Sequence, residues 1–591
     1  MSTKPGRISL FWKELKRRKV LRSLAIYAGT AFIILEAATI IFPRWALPDW
    51  TIDLVLYLLI LGVFITFIVA WIFDITPQGV QKTKPLEEVI ETEKPSDSKV
   101  WKAATYISLV VIVALILFNV VPVKQVKAGD IQSLVILPFD NFTGDDQLEY
   151  FVSGMHASLI GDMGQVGGLR VISKTSSNTY KDVDMSIPQI AEELAVDAVV
   201  ETQVMCLGDT ICLQVRVHTP FPEEKLLWTA DYREDKGQIL NLYNRVTRQI
   251  ANEVRIELSP NEERVLNVPR TVNKEAYDAY LMGLFYWDKL SKEALDKALE
   301  YFSRAIEFDP DWAPPYSGLA SVYLGMAQMG FIAPEIAGPQ GVENLQTALE
   351  LDPEFASSHY TQALINTWMG WNWKMGEQEF LTALELNPND AMTRIYYAHL
   401  LMILQKKEEA LSMGQQALDL DPLNPLILGL YAVVLSYADQ WEEARRHVEK
   451  AISLDPFNYF AHLILEPVSF QTGDIDGLLK SVRFCFTLED EAILSIEKIS
   501  KEEGIEAAYQ EFVTQLEILG ESRFLLPAHM AYRYSHLHQY DKAMDHLELG
   551  FEVHDQNIPY MACGYAKLEA LHTNPRYLAL MEKLKLPMPV E

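Results

Sequence analysis

Cys206 and Cys212 flank the tetrapeptide Leu207-Gly-Asp-Thr210 in a chain of 591 residues that holds 4 Cys. A Gly-Asp pair between two alternating, β-branched runs is a hairpin signal, so the two thiols sit on facing strands. In an oxidising compartment they can close a cross-strand disulfide. If a two-residue turn pairs Met205 with Cys212 instead, they stay diagonal and free, and the sequence leaves both outcomes open. Cys485 and Cys563 read as buried helical thiols, because no neighbouring base marks either as a nucleophile. His529, His536, His538 and His546 suggest a metal, yet His536 and His538 fall on different helix faces. Two ligands seven residues apart leave a third unsupplied, so ordinary histidines are expected. Gly161-Asp-Met-Gly-Gln-Val-Gly-Gly168 lacks the following Lys-Ser/Thr of a phosphate loop and reads as a helix end turning into a strand. No Gly-x-Ser-x-Gly elbow and no His-Glu-x-x-His zinc helix occurs. No catalytic residue, cofactor or metal is therefore expected, and the chain reads as a non-enzyme.

The elements that carry these residues fall into several domains. Hydrophobic residues make up 49% and charged residues 22% of the chain, which excludes global disorder. The net charge of −29 is uneven: residues 1–130 hold 16 Lys and Arg against 11 Asp and Glu, and the remainder 35 against 69. So acidic a remainder is a poor match for phosphate backbones, and nucleic acid is excluded as a main partner. Apolar runs at 20–41, 52–73 and 103–121 each have the length of a bilayer span. Lys13, Lys16, Arg17, Arg18, Lys19 and Arg22 precede or open the first run, and five Lys occupy the linker 77–102. The positive-inside rule then puts the N-terminus and linker in the cytoplasm and the acidic part in the periplasm of a bacterial inner membrane. Residues 1–76 form a two-span hairpin on this reading. Glu36 inside the first run marks either a functional site or a protonated, hydrogen-bonded side chain.

Residues 131–258 alternate strand and helix signals: strands at 133–138, 169–172, 197–204 and 211–218, helices at 149–163, 187–195 and 238–258. Ser133-Leu-Val-Ile-Leu-Pro-Phe-Asp-Asn-Phe-Thr-Gly-Asp145 and Glu149-Tyr-Phe-Val-Ser-Gly154 resemble the opening of the TolB/FlgO-like amino-terminal domain. Arg170-Val-Ile-Ser-Lys-Thr-Ser-Ser177 and Ala191-Glu-Glu-Leu-Ala-Val-Asp-Ala-Val-Val-Glu201 resemble its next two blocks. The resemblance implies an α/β binding module of bacterial envelope proteins, without a defined catalytic residue, placed before tetratricopeptide (TPR) repeats. Glu14-Leu-Lys-Arg-Arg-Lys19 is similar to the membrane anchor of that lineage, from which Cys206 and Cys212 depart.

Beyond residue 275, Asp/Asn-Pro recurs at Asp309-Pro310, Asp352-Pro353, Asn387-Pro388, Asp421-Pro422 and Asp455-Pro456. The proline spacings are 43, 35, 34 and 34, the TPR period. In that frame Ala298, Gly376, Ala410 and Ala444 share one position, and Ala305, Ala348, Ala383, Ala417 and Ala451 another. Small residues are needed there because helices cross closely. The second unit carries extra residues around 330–341, read as a longer loop, and the third carries Trp371-Asn-Trp373, similar to repeats of the same lineage. A sixth unit from Tyr459 is degraded, another lies near 527–550, and the end resembles a capping helix, which the last repeat requires. The expected fold class is thus multidomain: transmembrane helices, a small α/β domain, then an all-α TPR solenoid over 275–591.

TPR arrays bind partners on a concave face, which the repeat frame assigns to Ser358, Thr361, Ile365, Trp368 and Met369 in the third unit. The fourth supplies Met392, Ile395, His399, Met402 and Ile403, and the fifth Leu426, Gly429, Val433, Ser436 and Tyr437. The expected groove centres on Ile365, Trp368, Met369, Ile395, His399, Met402, Val433 and Tyr437, an apolar, Met-rich surface suited to an adaptable protein or peptide partner. Alternatively these side chains pack inside a tightly wound superhelix and no ligand enters. The function expected is a membrane scaffold for protein assembly. The second reading is a regulatory component of cyclase- or transcription-linked signalling, outputs to which the resembling lineage sometimes joins the same parts.

Overall fold

The computed structural model describes residues 131–588, apart from 222, 269, 330, 333, 487 and 564–567, together with parts of 15–35 and with 50–76 and 79–82. The chain forms two compact units, Met1–Val123 and Lys124–Glu591.

In the first unit the helix Trp50–Ile72 leads into a hairpin of Phe73–Thr76 and Gly79–Lys82, with Phe73 opposite Lys82. The Tyr27 hydroxyl donates to the Leu59 carbonyl at 2.8 Å. Among the described residues no helix is long and apolar enough to cross a membrane. This overturns the expected transmembrane layer of the fold, the lipid bilayer as a partner and the inner-membrane placement with periplasmic domains. Those expectations rested on the apolar composition of the runs alone. The run 103–121 and Glu36 lie outside the described residues, as does most of the linker 77–102.

The second unit opens with an α/β module. Its strands lie in the order Arg170–Val171, Ser133–Ile136, Ala198–Leu207, Thr210–Thr219, Lys225–Asp235, with the short Asp140–Asn141 also paired to Ala198–Leu207. The first three are parallel and the last three antiparallel. The helices Glu149–Gly164 and Ile239–Glu253 bury Phe151, Met155, Leu159, Leu242 and Val246 against Leu134, Ile136, Val200 and Val215 on one face. Ile190 and Leu194 cover Val135, Ile172 and Val199 on the other. The strand Lys225–Asp235 escaped the sequence reading because it is an edge strand with charges along it, which disguise its alternation.

The array follows as antiparallel helix pairs: Lys274–Trp287 with Lys292–Phe308, Ala313–Gln328 with Pro334–Leu351, and Ala356–Leu364 with Trp373–Leu386. Ala391–Ile403 pairs with Lys407–Leu420, Pro425–Tyr437 with Trp441–Leu454, and Tyr459–Thr472 with Ile475–Cys485. The pair Asp490–Glu502 and Ile505–Gly520 was not foreseen, and Pro527–His536 pairs with Tyr540–Glu552. The second helices of the first five pairs stop before their Asp/Asn-Pro because proline cannot continue them. Asp390, Asn424 and Asn458 then cap the next helix through their side chains. The extra residues of the second repeat lengthen its second helix, which starts at Pro334 and contains Pro339, so the expected long loop is corrected.

The small-residue positions behave as close crossings. Ala383, Ala410, Ala417, Ala444 and Ala451 are fully buried, and a Cβ added at Gly414 would stand 2.5 Å from the Tyr431 ring. Replacing Ala417 with Leu should therefore overpack the crossing and cost about 1–3 kcal/mol. Circular dichroism of the full chain should show unchanged helicity and earlier melting.

Candidate functional site

The turns that set the repeat period also hold the α/β module. At the third turn the Asn389 side chain donates to the Gly164 carbonyl at 3.0 Å and the Val166 carbonyl at 3.2 Å, and accepts from the Val171 amide at 3.0 Å. At the fourth, the Leu420 carbonyl accepts from the Ser173 amide at 2.9 Å. Asp421 accepts from the Ser176 amide at 2.9 Å and hydroxyl at 2.6 Å. Burial pushes the Asp421 carboxyl above its usual range, and the bonds from Ser176 and Asn424 oppose the shift. At the second turn, Glu354 pairs with Arg264 at 2.7 Å, on the linking helix Pro260–Asn267. The first repeat adds ion pairs from Asp288 to Lys174 at 2.7 Å and from Asp278 to Lys236 at 2.6 Å. Its Leu281 packs into the core of the module. A module seated on three successive turns and on the first helix is fixed relative to the array.

The concave face is filled. Ile395, His399, Met402, Ile403 and Val433 are buried, as are Ser358, Thr361, Gly429 and Ser436. Ile365, Trp368, Met369, Met392, Leu426 and Tyr437 are half-buried. Their cover is the chain's own C-terminal stretch: Ile558, Met561, Ala562, Cys563, Leu568, Leu571, Tyr577 and Leu584 share one apolar core with Ile395, Met402 and Val433. The His399 ring sits between the Leu430 carbonyl and the Tyr560 hydroxyl, each at 2.9 Å. With Nε2–H donated to Leu430, Nδ1 accepts from Tyr560. Burial lowers the imidazole pKa to about 4, partly opposed by the bond to Leu430, so the ring is neutral near pH 7. Trp373 donates to the Leu584 carbonyl at 2.8 Å and Gln405 to the Pro587 carbonyl at 2.9 Å. The Trp371 ring stacks on His554 at 3.8 Å between centroids.

Cys206 and Cys212 are disulfide-bonded, with Cα atoms 4.9 Å apart. The register places Cys206 opposite Cys212 and Leu207 opposite Ile211, and shifts between Val204 and Cys206. Thr210 widens the turn by one residue and Met205 bulges out to restore the ladder. Among the described residues no group of three or more His, Cys, Asp or Glu is placed to hold a metal ion. His536 bonds Gln471 at 2.9 Å and His538 bonds Tyr540 at 2.9 Å. Cys485 and Cys563 are buried free thiols, and burial pushes Cys485 up to about 12.

No family model matches the chain. Over 242 residues it is 29% identical to putative adenylate cyclase 3 of Rhizobium meliloti (strain 1021), covering 40% of this chain and 40% of that protein. Over 295 residues it is 25% identical to the transcriptional regulator HilA of Salmonella typhimurium, covering 47% of this chain and 49% of that one. The chain thus spans at most about half the length of these curated relatives. Among solved structures, a thermophilic TPR protein of Thermus thermophilus is 17% identical at a TM-score of 0.27, covering 32% of this chain and 95% of that one. Human IFIT1 with m7Gppp-AAAA is 15% identical at a TM-score of 0.34, covering 54% and 81%. Likeness at these scores carries no argument. The TPR assignment rests on the helix pairs themselves, and the expected exclusion of nucleic acid rests on net charge.

Sequence reasoning missed Tyr560, Trp373 and Leu584 at the concave face, and Asn389 and Asp421 at the module. Signals existed: Trp371-Asn-Trp373 stood out as a motif and Asp/Asn-Pro as a period. Neither told what would dock there.

Proposed function

We propose that the chain is a non-enzymatic interaction scaffold, in which the α/β module and the TPR-type array act as one platform for a protein partner. The observation that carries this reading is the seating of the module across the inter-repeat turns, centred on Asn389 and Asp421. Such a seat fixes two potential binding surfaces in one geometry and leaves no hinge between them. The TolB/FlgO-like resemblance of residues 131–258 supports a binding role for the module. The acidic balance of residues 131–591 favours a protein over nucleic acid. A second reading, a regulatory component of a signalling system, is favoured by the partial likeness to a putative adenylate cyclase and to HilA.

The test uses the full chain, first in cells and then purified. Chemical crosslinking in cells should recover the same partner repeatedly with the wild type, and less with Asn389→Ala/Asp421→Ala, which loosens the module. Equal recovery by both would remove the coupled platform. Conversion of ATP to cyclic AMP by the purified chain would overturn the non-enzymatic reading.

A further inference from the structure

Residues 555–563 leave the last helix pair without forming another. They make one short helical turn, Ile558–Ala562, flanked by backbone bonds from Ile558 to Asp555, Tyr560 to Asn557 and Cys563 to Tyr560. Ile558, Met561 and Cys563 are nevertheless fully buried. Polar contacts with surrounding side chains fall largely on the main chain of this stretch. The Tyr532 hydroxyl donates to the Asn557 carbonyl at 2.6 Å, and the Tyr577 hydroxyl to the Met561 carbonyl at 2.5 Å. Beyond the buried Asp555 carboxylate, which accepts from the Ala528 amide at 2.9 Å, one side chain is read directly, the Tyr560 hydroxyl by His399. Main-chain hydrogen bonds, apolar pockets and one anchoring side chain are how grooves hold peptides.

A second anchor lies just before the stretch. His554 bonds the Met369 carbonyl at 2.7 Å and stacks on Trp371. Both belong to the irregular part of the third repeat, where Ile365–Met369 forms a π-helical turn and Trp371 has φ of 47°. π-turns and left-handed φ at a bulky residue cost stability and persist where surrounding contacts hold them. Here the contact is the returning chain.

We propose that residues 555–563 are an intramolecular ligand of the concave face, and that a partner's short apolar peptide, with a tyrosine at the place of Tyr560, binds by displacing them. This rests on the scaffold reading above. Opening one short turn requires less free energy than unfolding a helix pair. Tethering gives the resident stretch an effective concentration of order mM, so weak peptides are excluded and tight ones enter.

Two measurements test it. In hydrogen exchange of the wild-type full chain, the amides of Ile558, Tyr560 and Cys563 should exchange at least tenfold faster than those of Ala391–Ile403 and Pro425–Tyr437. Equal rates would make the stretch permanent core and overturn the proposal. A synthetic peptide of residues 553–563 carrying Cys563→Ser should bind the full-length Ile558→Asp/Met561→Asp variant at least tenfold more tightly than the wild type. The same peptide with Tyr560→Phe should bind several-fold more weakly. No binding to a variant of unchanged helicity would also overturn the proposal, and if the variant does not fold, the wild-type exchange rates decide. Slow exchange alongside a partner crosslinked to the α/β module would discard the ligand and keep the scaffold. Fast exchange and peptide binding, with no partner recovered in cells, would do the reverse.

Discussion

Replacing Arg533 with Ala should destabilise the C-terminal repeats by about 3–5 kcal/mol, the usual cost of removing one partner of a buried ion pair. Glu466 and Arg533 are 3% and 9% exposed, and the Arg533 Nε lies 3.1–3.2 Å from both carboxylate oxygens. Tyr509 donates to the same carboxylate at 2.6 Å. The guanidinium also lies over the Phe486 and Phe512 rings, 5.2 and 5.6 Å from their centroids. The cluster ties the sixth, seventh and eighth helix pairs together, so its loss should melt them before the rest. The apolar double replacement Glu466→Met/Arg533→Leu should recover most of the loss, because no charge is then left buried. Thermal melting of the three variants checks this. A change below about 0.5 kcal/mol in Arg533→Ala would mean that water reaches the pair.

Acid should destabilise the module and the array together. His156 bonds the Ile136 carbonyl at 2.9 Å inside the module, and His399 is buried in the array. Burial lowers each from 6.5 to about 4 in the folded state. Between those values the unfolded chain binds protons that the folded chain does not, so stability falls as pH drops below 6.5 and levels off near 4. The gap is worth on the order of 3 kcal/mol for each histidine. Asp162 and Asp421 act oppositely: burial raises their carboxyls above 3.8, so the folded chain gains protons there first and offsets part of the loss at the low end. Melting temperatures from pH 7.5 to 4.5 should fall steeply. His399→Gln should flatten the array's share of that slope while lowering stability at neutral pH. A flat profile would mean that solvent reaches both rings.

The repeat period was legible because each unit repeats a local necessity, a proline that ends one helix and a small residue that lets the next pair approach. Most of the module was legible for a similar reason, since its strands and helices alternate with their own periodicities. The contacts that decide function left weaker marks. Asn389 meets Gly164 across 225 residues and His399 meets Tyr560 across 161, and no local pattern encodes such distances. The Cys206 register turned on one residue, Met205, bulging from its strand. The groove residues were apolar as expected, but apolar side chains serve a ligand site and a core equally well. What covers them here is the end of the same chain. The apolar runs near the N-terminus misled because composition was taken for a membrane-spanning helix.

Zero-length carbodiimide crosslinking of the full chain, read by mass spectrometry, tests most directly whether module and array are one platform. Lys406 and Glu377, both within the array and 2.7 Å apart, supply the internal control. The account predicts amide links between Lys174 and Asp288 and between Lys236 and Asp278, recovered alongside that control. Recovery of the Lys406–Glu377 link with neither of the other two would show that the module does not sit on the array, and would contradict the account.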